Sequence, residues 1–314
     1  MRPPCTRVNP TGGISNVRQH ADRPVSPSFY GHNDARRPEF GRAVDSRRAA
    51  AGELNVRVTG AQDPTLIFVH GFACSLEDWG AQVNGLSSQF RCVVLDLPGH
   101  GSSPAPEVAT IAALGSAVNV AKKQAGGRSA VLIGHSMGCR VITEAYLQAP
   151  SDVAGLVFVD GSIIGGDPDI AINRARENIA RNGMDALTQR LFADMFVESS
   201  DPKLRDRLVA RAQKVDRKFR EELFVDLIRW DVTKSKDALK QIKVPALVLQ
   251  STFINSELKR MPMQSGMTTP WMDAIATLVA KSQAKIITGS GHFTMIEAAQ
   301  AVTQDIQTFA TTLT

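Results

Sequence analysis

The stretch "SAVLIGHSMGCRVITEAYLQAP", residues 129–150, is the most informative part of the sequence for the class of fold. It begins with the apolar run AVLI, which is typical of a buried strand, and ends with the apolar periodicity of a helix. Between the two lies Gly-His-Ser-Met-Gly. A serine on a sharp strand-to-helix turn needs small residues two positions away on each side, because the backbone there is strained and crowded. Gly134 and Gly138 meet that requirement, so we predict a strand–turn–helix unit that presents Ser136 above a sheet.

Short β-rich runs continue outward from this stretch, and most are apolar throughout. They occupy residues 54–59, 65–70, 92–96, 130–134, 155–160, 245–250 and 284–288. Helix-length segments lie between most of them, at residues 107–124, 136–149, 271–283 and 295–313. This alternation predicts an α/β fold with a mostly parallel sheet and helices on both faces.

The interval 161–243 breaks the alternation, because it contains amphipathic helices and no convincing strand. We expect it to form a helical cap domain over the carboxyl edge of the sheet, where α/β folds bind ligands. The core domain is then expected to comprise residues 53–160 and 244–314. Residues 1–52 are rich in Pro, Gly, Asn and Arg and lack apolar periodicity, so we predict a mobile N-terminal tail.

The composition, 43% hydrophobic and 21% charged, is that of an ordinary globular protein. Residues 1–52 hold nine arginines and four acidic residues, which accounts for the whole net charge of +5. Since the rest of the chain is neutral and has no long apolar run, we expect neither a nucleic-acid partner nor a membrane span. The four cysteines show no metal-binding spacing, so we expect no metal site and a cytoplasmic location.

A serine hydroxyl becomes a good nucleophile only when a base accepts its proton. His292 in "GSGHF" follows a predicted strand and precedes the last helix, and it suits that role better than the other histidines; His135, beside the serine, is expected to point away.

A serine that attacks a carbonyl group forms a tetrahedral intermediate, whose oxyanion needs two N–H donors. We expect them from the backbone of Met137 and of Phe72, which Gly71 allows to come close to the substrate.

Four ordered motifs, "FVHGFACSLEDW", "VVLDLPGHGSS", "GHSMG" and "GSGHF", resemble those of the α/β-hydrolase family. The resemblance covers residues 53–314. It implies the α/β-hydrolase fold, with a helical cap inserted after the sixth strand and lying over the active site. It also implies a serine hydrolase that needs no cofactor.

The chain departs from the family at the acid that orients the histidine. Family members commonly carry it just after the strand that here reads "PALVLQ", but this chain continues "STFINSELKR". Asp160, which ends "GLVFVD", resembles the placement of the acid in some haloalkane dehalogenases. Glu257 lies a few residues beyond the usual site. Because a strand end holds a carboxylate more rigidly than a loop, we favour Asp160 and keep Glu257 as the alternative.

Serine at the turn argues against relatives that attack halides or epoxides through a carboxylate. We therefore predict a carboxylesterase-like enzyme that cleaves a small, fairly apolar ester through an acyl-enzyme intermediate. Carbon–carbon bond hydrolysis, lactonase or amidase activity on the same triad, and a binding-only receptor function, remain alternatives because fold does not fix chemistry. The expected partner is a small-molecule ester, and both a monomer and a homodimer are compatible with the sequence.

Overall fold

The computed structural model describes residues 53–255 and 259–313. Its strands, in chain order, are β1 (Val56–Thr59), β2 (Thr65–Val69), β3 (Arg91–Leu95), β4 (Ala130–His135), β5 (Val153–Val159), β6 (Ala246–Gln250), β7 (Thr252–Ile254), β8 (Arg260–Pro262) and β9 (Ser282–Ile286). One sheet has the order β1-β3-β2-β4-β5-β6-β9, in which β1 is antiparallel to β3 and all other neighbours are parallel. β7 and β8 form a separate antiparallel hairpin. The predicted mostly parallel sheet is confirmed.

Helices cover this sheet. They are α1 (Gly80–Leu86), α2 (Ile111–Ala125), α3 (Met137–Gln148), α4 (Pro168–Asn182), α5 (Met184–Ala193), α6 (Pro202–Ala212), α7 (Arg217–Thr233), α8 (Ser235–Lys240), α9 (Pro270–Leu278), α10 (Thr294–Glu297) and α11 (Ala299–Thr311). α1 packs against α11, whereas α2, α3, α8 and α9 form a second series of contacts. None of the described helices is long and apolar enough to cross a membrane.

The sheet interior explains the uninterrupted apolar runs. Every residue of β2, β4 and β6 is buried, as expected for parallel strands that are covered on both faces. The carboxyl ends of β4 and β5 lie side by side, because the backbone N–H of Ser136 donates to the Val159 carbonyl at 3.0 Å. The residues that follow these two strands therefore meet at the same edge of the sheet.

Helices α4–α8 lie between β5 and β6, and we call residues 161–243 the helical insertion. Three of its helices begin at an aspartate, Asp167, Asp201 or Asp216, whose carboxylate accepts a backbone N–H of the first turn. We expected this insertion after the sixth strand. In the structure five strands precede it in the described part of the chain, so it follows β5 and not a sixth strand.

Two predicted boundaries shift. β9 begins and ends two residues before the predicted run at 284–288. The predicted last helix is two helices, because Ala298 leaves the helical conformation with φ −121° and ψ 43° and separates α10 from α11. The predicted tail, residues 1–52, and the alternative acid Glu257 lie outside the described residues.

Candidate active site

Ser136 occupies the turn between β4 and α3 with a positive φ of 55° and ψ of −116°. The residues two positions before and two positions after Ser136 must be glycine for steric reasons. A Cβ atom on Gly134 would lie 2.3 Å from the carbonyl oxygen of Gly138, and a Cβ on Gly138 would lie 2.5 Å from that of Val69. Close backbone packing therefore helps to fix Ser136, with its side chain half-buried at the carboxyl edge of the sheet.

Asp160 follows β5 directly, also at positive φ (45°), and is fully buried. Its Oδ1 accepts the backbone N–H groups of Ser251 and Thr252, both at 2.8 Å. Its Oδ2 accepts the Thr252 hydroxyl at 2.5 Å and His292 Nδ1–H at 2.6 Å. The segment after β6, which lacks the expected acid, thus supplies donors that hold an acid from the neighbouring strand.

His292 lies in the loop between β9 and α10 and is buried. Its backbone N–H donates to the Met195 carbonyl of the helical insertion at 2.8 Å. Because Nδ1 carries the proton shared with Asp160, Nε2 presents a lone pair, and Nε2 has no hydrogen-bond partner among the described residues. The structure thus joins Asp160 to His292, whereas Ser136 and His292 make no hydrogen bond to each other.

His135 contacts His292 through both its ring and a hydrogen bond. Its ring lies against that of His292, with centroids 4.6 Å apart, and its Nε2 donates to the His292 carbonyl oxygen at 2.9 Å. It therefore supports the histidine loop, a role that sequence reasoning missed. Burial lowers the pKa of His135 to about 4, so its ring is neutral near pH 7.

The Asp160–His292 pair is a carboxylate and a neutral imidazole. Burial and then the charge of Arg260 lower the pKa of His292 to about 3, against the opposing hydrogen bond to Asp160. Burial acts to raise the pKa of Asp160, but the hydrogen bond and charge of His292, the charge of Arg260 and the Thr252 hydroxyl lower it to about 2. At neutral pH the imidazole is therefore free to accept a proton.

The loop after β2 runs beside Ser136. A Cβ atom added to Gly71 would lie 3.2 Å from Ser136 Cβ, so glycine permits this close approach. The next residue, Phe72, is buried, and its ring contacts that of Phe224 on α7 at a centroid distance of 5.9 Å. Met137 begins α3, where the first N–H groups have no partner within the helix. Both predicted oxyanion residues are thus next to Ser136 in space or in sequence.

Two buried histidines hold this loop in place. His70 Nε2 accepts the Leu97 N–H at 3.0 Å, and His100 Nε2 accepts the Ala73 N–H at 3.2 Å. Both rings must be neutral at Nε2 to act as acceptors. Burial lowers both pKa values, that of His100 to about 3, in agreement with this arrangement.

The helical insertion is attached to the site by polar contacts. The Glu297 carboxylate accepts the Ser200 hydroxyl of the insertion at 2.6 Å and the Gly291 N–H of the histidine loop at 3.1 Å. On the Ser136 side, Arg140 of α3 and Asp231 of α7 form a buried ion pair, with Nε to Oδ1 at 2.7 Å and Nη2 to Oδ2 at 2.5 Å. The insertion therefore contacts both the helix that follows the serine and the loop that carries the histidine.

Cysteine is excluded as an alternative nucleophile in the described part of the chain. Cys74, Cys92 and Cys139 are buried free thiols. Burial raises the pKa of Cys92 and of Cys139 to about 12, so neither is a thiolate at neutral pH. The residues 53–255 and 259–313 also contain no cluster of acidic, histidine and cysteine side chains suited to a metal ion.

A profile of the alpha/beta hydrolase family matches residues 66–305. This chain belongs to that family. The match covers the sheet from β2 onward, the turn at Ser136, the helical insertion and the loop at His292, so the α/β-hydrolase fold predicted from the four motifs is confirmed.

The chain resembles curated alpha/beta hydrolases over part of their length. It is 32% identical over 136 residues to a pimeloyl-[acyl-carrier protein] methyl ester esterase of Vibrio campbellii, which covers 43% of this chain and 50% of the relative. It is 30% identical over 154 residues to the corresponding esterase of Methylococcus capsulatus, covering 49% and 55%. The chain thus spans about half the length of these curated relatives.

Solved structures match this alpha/beta hydrolase over more of its length. A thermophilic esterase from Thermogutta terrifontis has a TM-score of 0.67 at 25% identity and covers 85% of this chain and 97% of that chain. An enol-lactonase from Burkholderia xenovorans LB400 has a TM-score of 0.67 at 22% identity and covers 82% and 96%. The second likeness shows the fold alone.

Proposed function

We propose that this alpha/beta hydrolase cleaves a carboxylic ester of a small, fairly apolar substrate through an acyl-enzyme intermediate. Ser136 is the nucleophile, His292 the general base and Asp160 the acid that orients it. The observation that carries the proposal is the 2.6 Å contact between Asp160 Oδ2 and His292 Nδ1, which fixes the tautomer with a free Nε2.

In the first step, His292 Nε2 takes the proton of Ser136 Oγ as that oxygen attacks the ester carbonyl carbon. The backbone N–H groups of Phe72 and Met137 donate to the resulting oxyanion. The imidazolium then gives its proton to the alkoxide oxygen, the carbon–oxygen bond breaks, and an alcohol leaves. Ser136 remains as an acyl ester.

In the second step, a water molecule attacks the acyl carbonyl while His292 accepts one of its protons. The same two N–H groups stabilise the second oxyanion. Collapse of this intermediate returns the proton to Ser136 Oγ and releases a carboxylic acid. Asp160 stays ionised throughout and stabilises the imidazolium that forms in both steps.

The helical insertion serves as the cap of this site. Phe224 of α7 contacts Phe72, and Phe196 stacks on Phe293, the neighbour of the base, with centroids 5.4 Å apart. These aromatic side chains give the surroundings of Ser136 an apolar character, which favours an uncharged acyl or alcohol group. The methyl ester esterases among the relatives support ester cleavage as the reaction class.

A fluorophosphonate probe tests the mechanism, because it reacts with an activated serine. We expect the wild-type protein to be labelled at Ser136, and an activated aryl ester to release a burst of about one equivalent of product per active site. A panel of short, medium and aromatic monoesters, with a lactone and an amide, then defines the substrate class.

The matched control is Ser116→Ala, which alters an exposed serine on α2 and should leave labelling unchanged. Ser136→Ala should abolish it. Undiminished labelling of the Ser136→Ala protein, or faster turnover of the amide or lactone than of every ester, would contradict the proposal.

A further inference from the structure

The β7–β8 hairpin places a cation beside the triad acid. Arg260 begins β8 and pairs with Ile254 of β7. Its Nη1 donates to the Thr252 hydroxyl oxygen at 2.7 Å and lies 3.6 Å from Asp160 Oδ2. The Arg260 side chain is 12% exposed, so water screens this charge weakly.

The contact with Thr252 sets the direction of a hydroxyl group. Because Arg260 donates to Thr252 Oγ1, the hydroxyl proton must point to its other neighbour, Asp160 Oδ2, at 2.5 Å. Oδ2 thus lies against His292, Thr252 and Arg260 together. All three contacts favour the ionised carboxylate over its protonated form.

The charged and titratable groups around Asp160 and His292 come from several elements. Three of them lie around His292: Asp160 after the end of β5, His135 at the end of β4 and Arg260 on β8. The negative charge of Asp194 in the helical insertion also acts on Arg260 and opposes the lowering of the Arg260 pKa by burial. Arg260 is the permanently charged cation in this set, since the two histidines are neutral near pH 7.

We infer that Arg260 is a positioning residue that keeps Asp160 ionised and His292 neutral, and so extends ester hydrolysis to lower pH than the pair alone would allow. The inference rests on the proposed function in one respect, namely that the neutral form of His292 is the active base. The effect of Arg260 on His292 itself does not depend on what the substrate is.

The directions of the pKa shifts agree with this geometry. The charge of Arg260 contributes to the lowered pKa of His292 and to the lowered pKa of Asp160, in each case after the larger effect of burial. Removing the cation should therefore raise the pKa of His292. The protonated, inactive imidazole would then appear at higher pH.

The experiment compares wild type, Arg260→Gln and Arg260→Lys by two readouts. The first is the pH titration of His292 by NMR in protein labelled with ¹⁵N-histidine, and the second is the acid limb of kcat/KM for an activated ester. Arg260→Gln should raise both midpoints by about one pH unit, whereas Arg260→Lys, which keeps the charge, should remain near wild type. Arg205→Gln, on the exposed face of α6, is the control and should shift neither.

An unchanged His292 titration in Arg260→Gln would overturn the inference, and so would an equal shift in Arg260→Lys, because the charge would then not be the cause. If no ester is hydrolysed by any of the proteins, the proposed function fails, while the NMR titration still decides the role of Arg260. An NMR shift without a shift of the kcat/KM limb would overturn the link to hydrolysis.

Discussion

The two halves of the candidate site are held by different forces. Ser136 lies in a strand–turn–helix unit whose glycines, Gly134 and Gly138, leave no room for a Cβ against each other's backbone or against Val69 of the neighbouring strand β2. The Asp160–His292 pair is instead held by hydrogen bonds from chain segments far apart in sequence, including the β6–β7 turn and the loop at Met195.

The two halves should therefore respond to different kinds of substitution. Substitutions around Ser136 should act through volume and backbone strain, because an added Cβ on Gly134 or Gly138 would collide with neighbouring backbone. Substitutions around the pair should act through charge and proton position, because a small carboxylate is surrounded by donors.

The largest effect is expected at the nucleophile itself. Ser136→Ala should lower kcat by a factor on the order of 10⁵ to 10⁶, since no other group replaces the attacking oxygen. The melting temperature should stay near that of wild type, because the backbone turn and its glycines remain. Steady-state kinetics and a thermal melt check both statements, and activity above a tenth of wild type would refute the assignment.

The next effect is expected at the acid. Asp160→Asn should lower kcat by about 10⁴-fold with little change in KM, because an amide can hold the wrong histidine tautomer. Glu257→Gln, which changes the alternative acid, should stay within about tenfold of wild type. If Glu257→Gln were the more damaging change, Asp160 would be an incorrect choice.

One ion pair on the nucleophile side tests whether electrostatics also matter there. Arg140→Met should lower the free energy of unfolding by about 3 to 5 kcal/mol, because it leaves Asp231 buried without its partner. The double variant Arg140→Met/Asp231→Leu should recover most of that loss, as urea unfolding can measure. A double variant no more stable than the single one would show that other contacts of Arg140 dominate.

The steric half of the comparison is tested by a pair of glycines. Gly134→Ala should lower the free energy of unfolding by about 2 to 4 kcal/mol, because its Cβ would collide with the Gly138 backbone. Gly165→Ala is the matched control, since no atom lies within 4 Å of its added Cβ. Its effect should stay within about 0.5 kcal/mol. Equal stability of the two variants would argue against crowding at the turn.

Acid should weaken the fold through its buried histidines. The pKa values of His70, His100, His135 and His292 are all lowered, so the unfolded chain binds more protons than the native protein as the pH falls. The stability from these groups is complete above about pH 6.5 and declines toward pH 3, by up to about 1.4 kcal/mol per pH unit for each histidine.

Asp160, with a pKa lowered to about 2, adds a loss that begins below about pH 4. The histidines act at higher pH, so the free energy of unfolding measured in urea should fall from pH 7 to pH 6 and pH 5. His100→Gln should reduce the slope of that free energy against pH by about one proton, or about 1.4 kcal/mol per pH unit. A slope that His100→Gln leaves unchanged would mean that His100 is already protonated in the native state.

The same division explains what the sequence could reveal. The turn at Ser136 was predictable because its sterics involve five consecutive residues and one flanking strand. Asp160 was predictable from its strand end and from the missing carboxylate after β6. The donors Ser251 and Thr252, and the cation Arg260, were not, because they meet Asp160 across about 90 to 100 residues of chain and no local pattern marks them. The roles of Ser136, His292, Asp160, Phe72 and Met137 stay predictions until the variants are measured.

The hydrogen bond from the His292 backbone to the Met195 carbonyl has a consequence for engineering. It joins two main-chain segments, so a substitution of the Met195 side chain cannot delete it, but replacement of the whole insertion can. A chimera that takes α4–α8 from another hydrolase to change selectivity would lose this contact between Met195 and the loop that carries His292. Grafts that retain residues 195–200, and with them the Ser200–Glu297 contact, should therefore keep turnover where complete exchanges lose it.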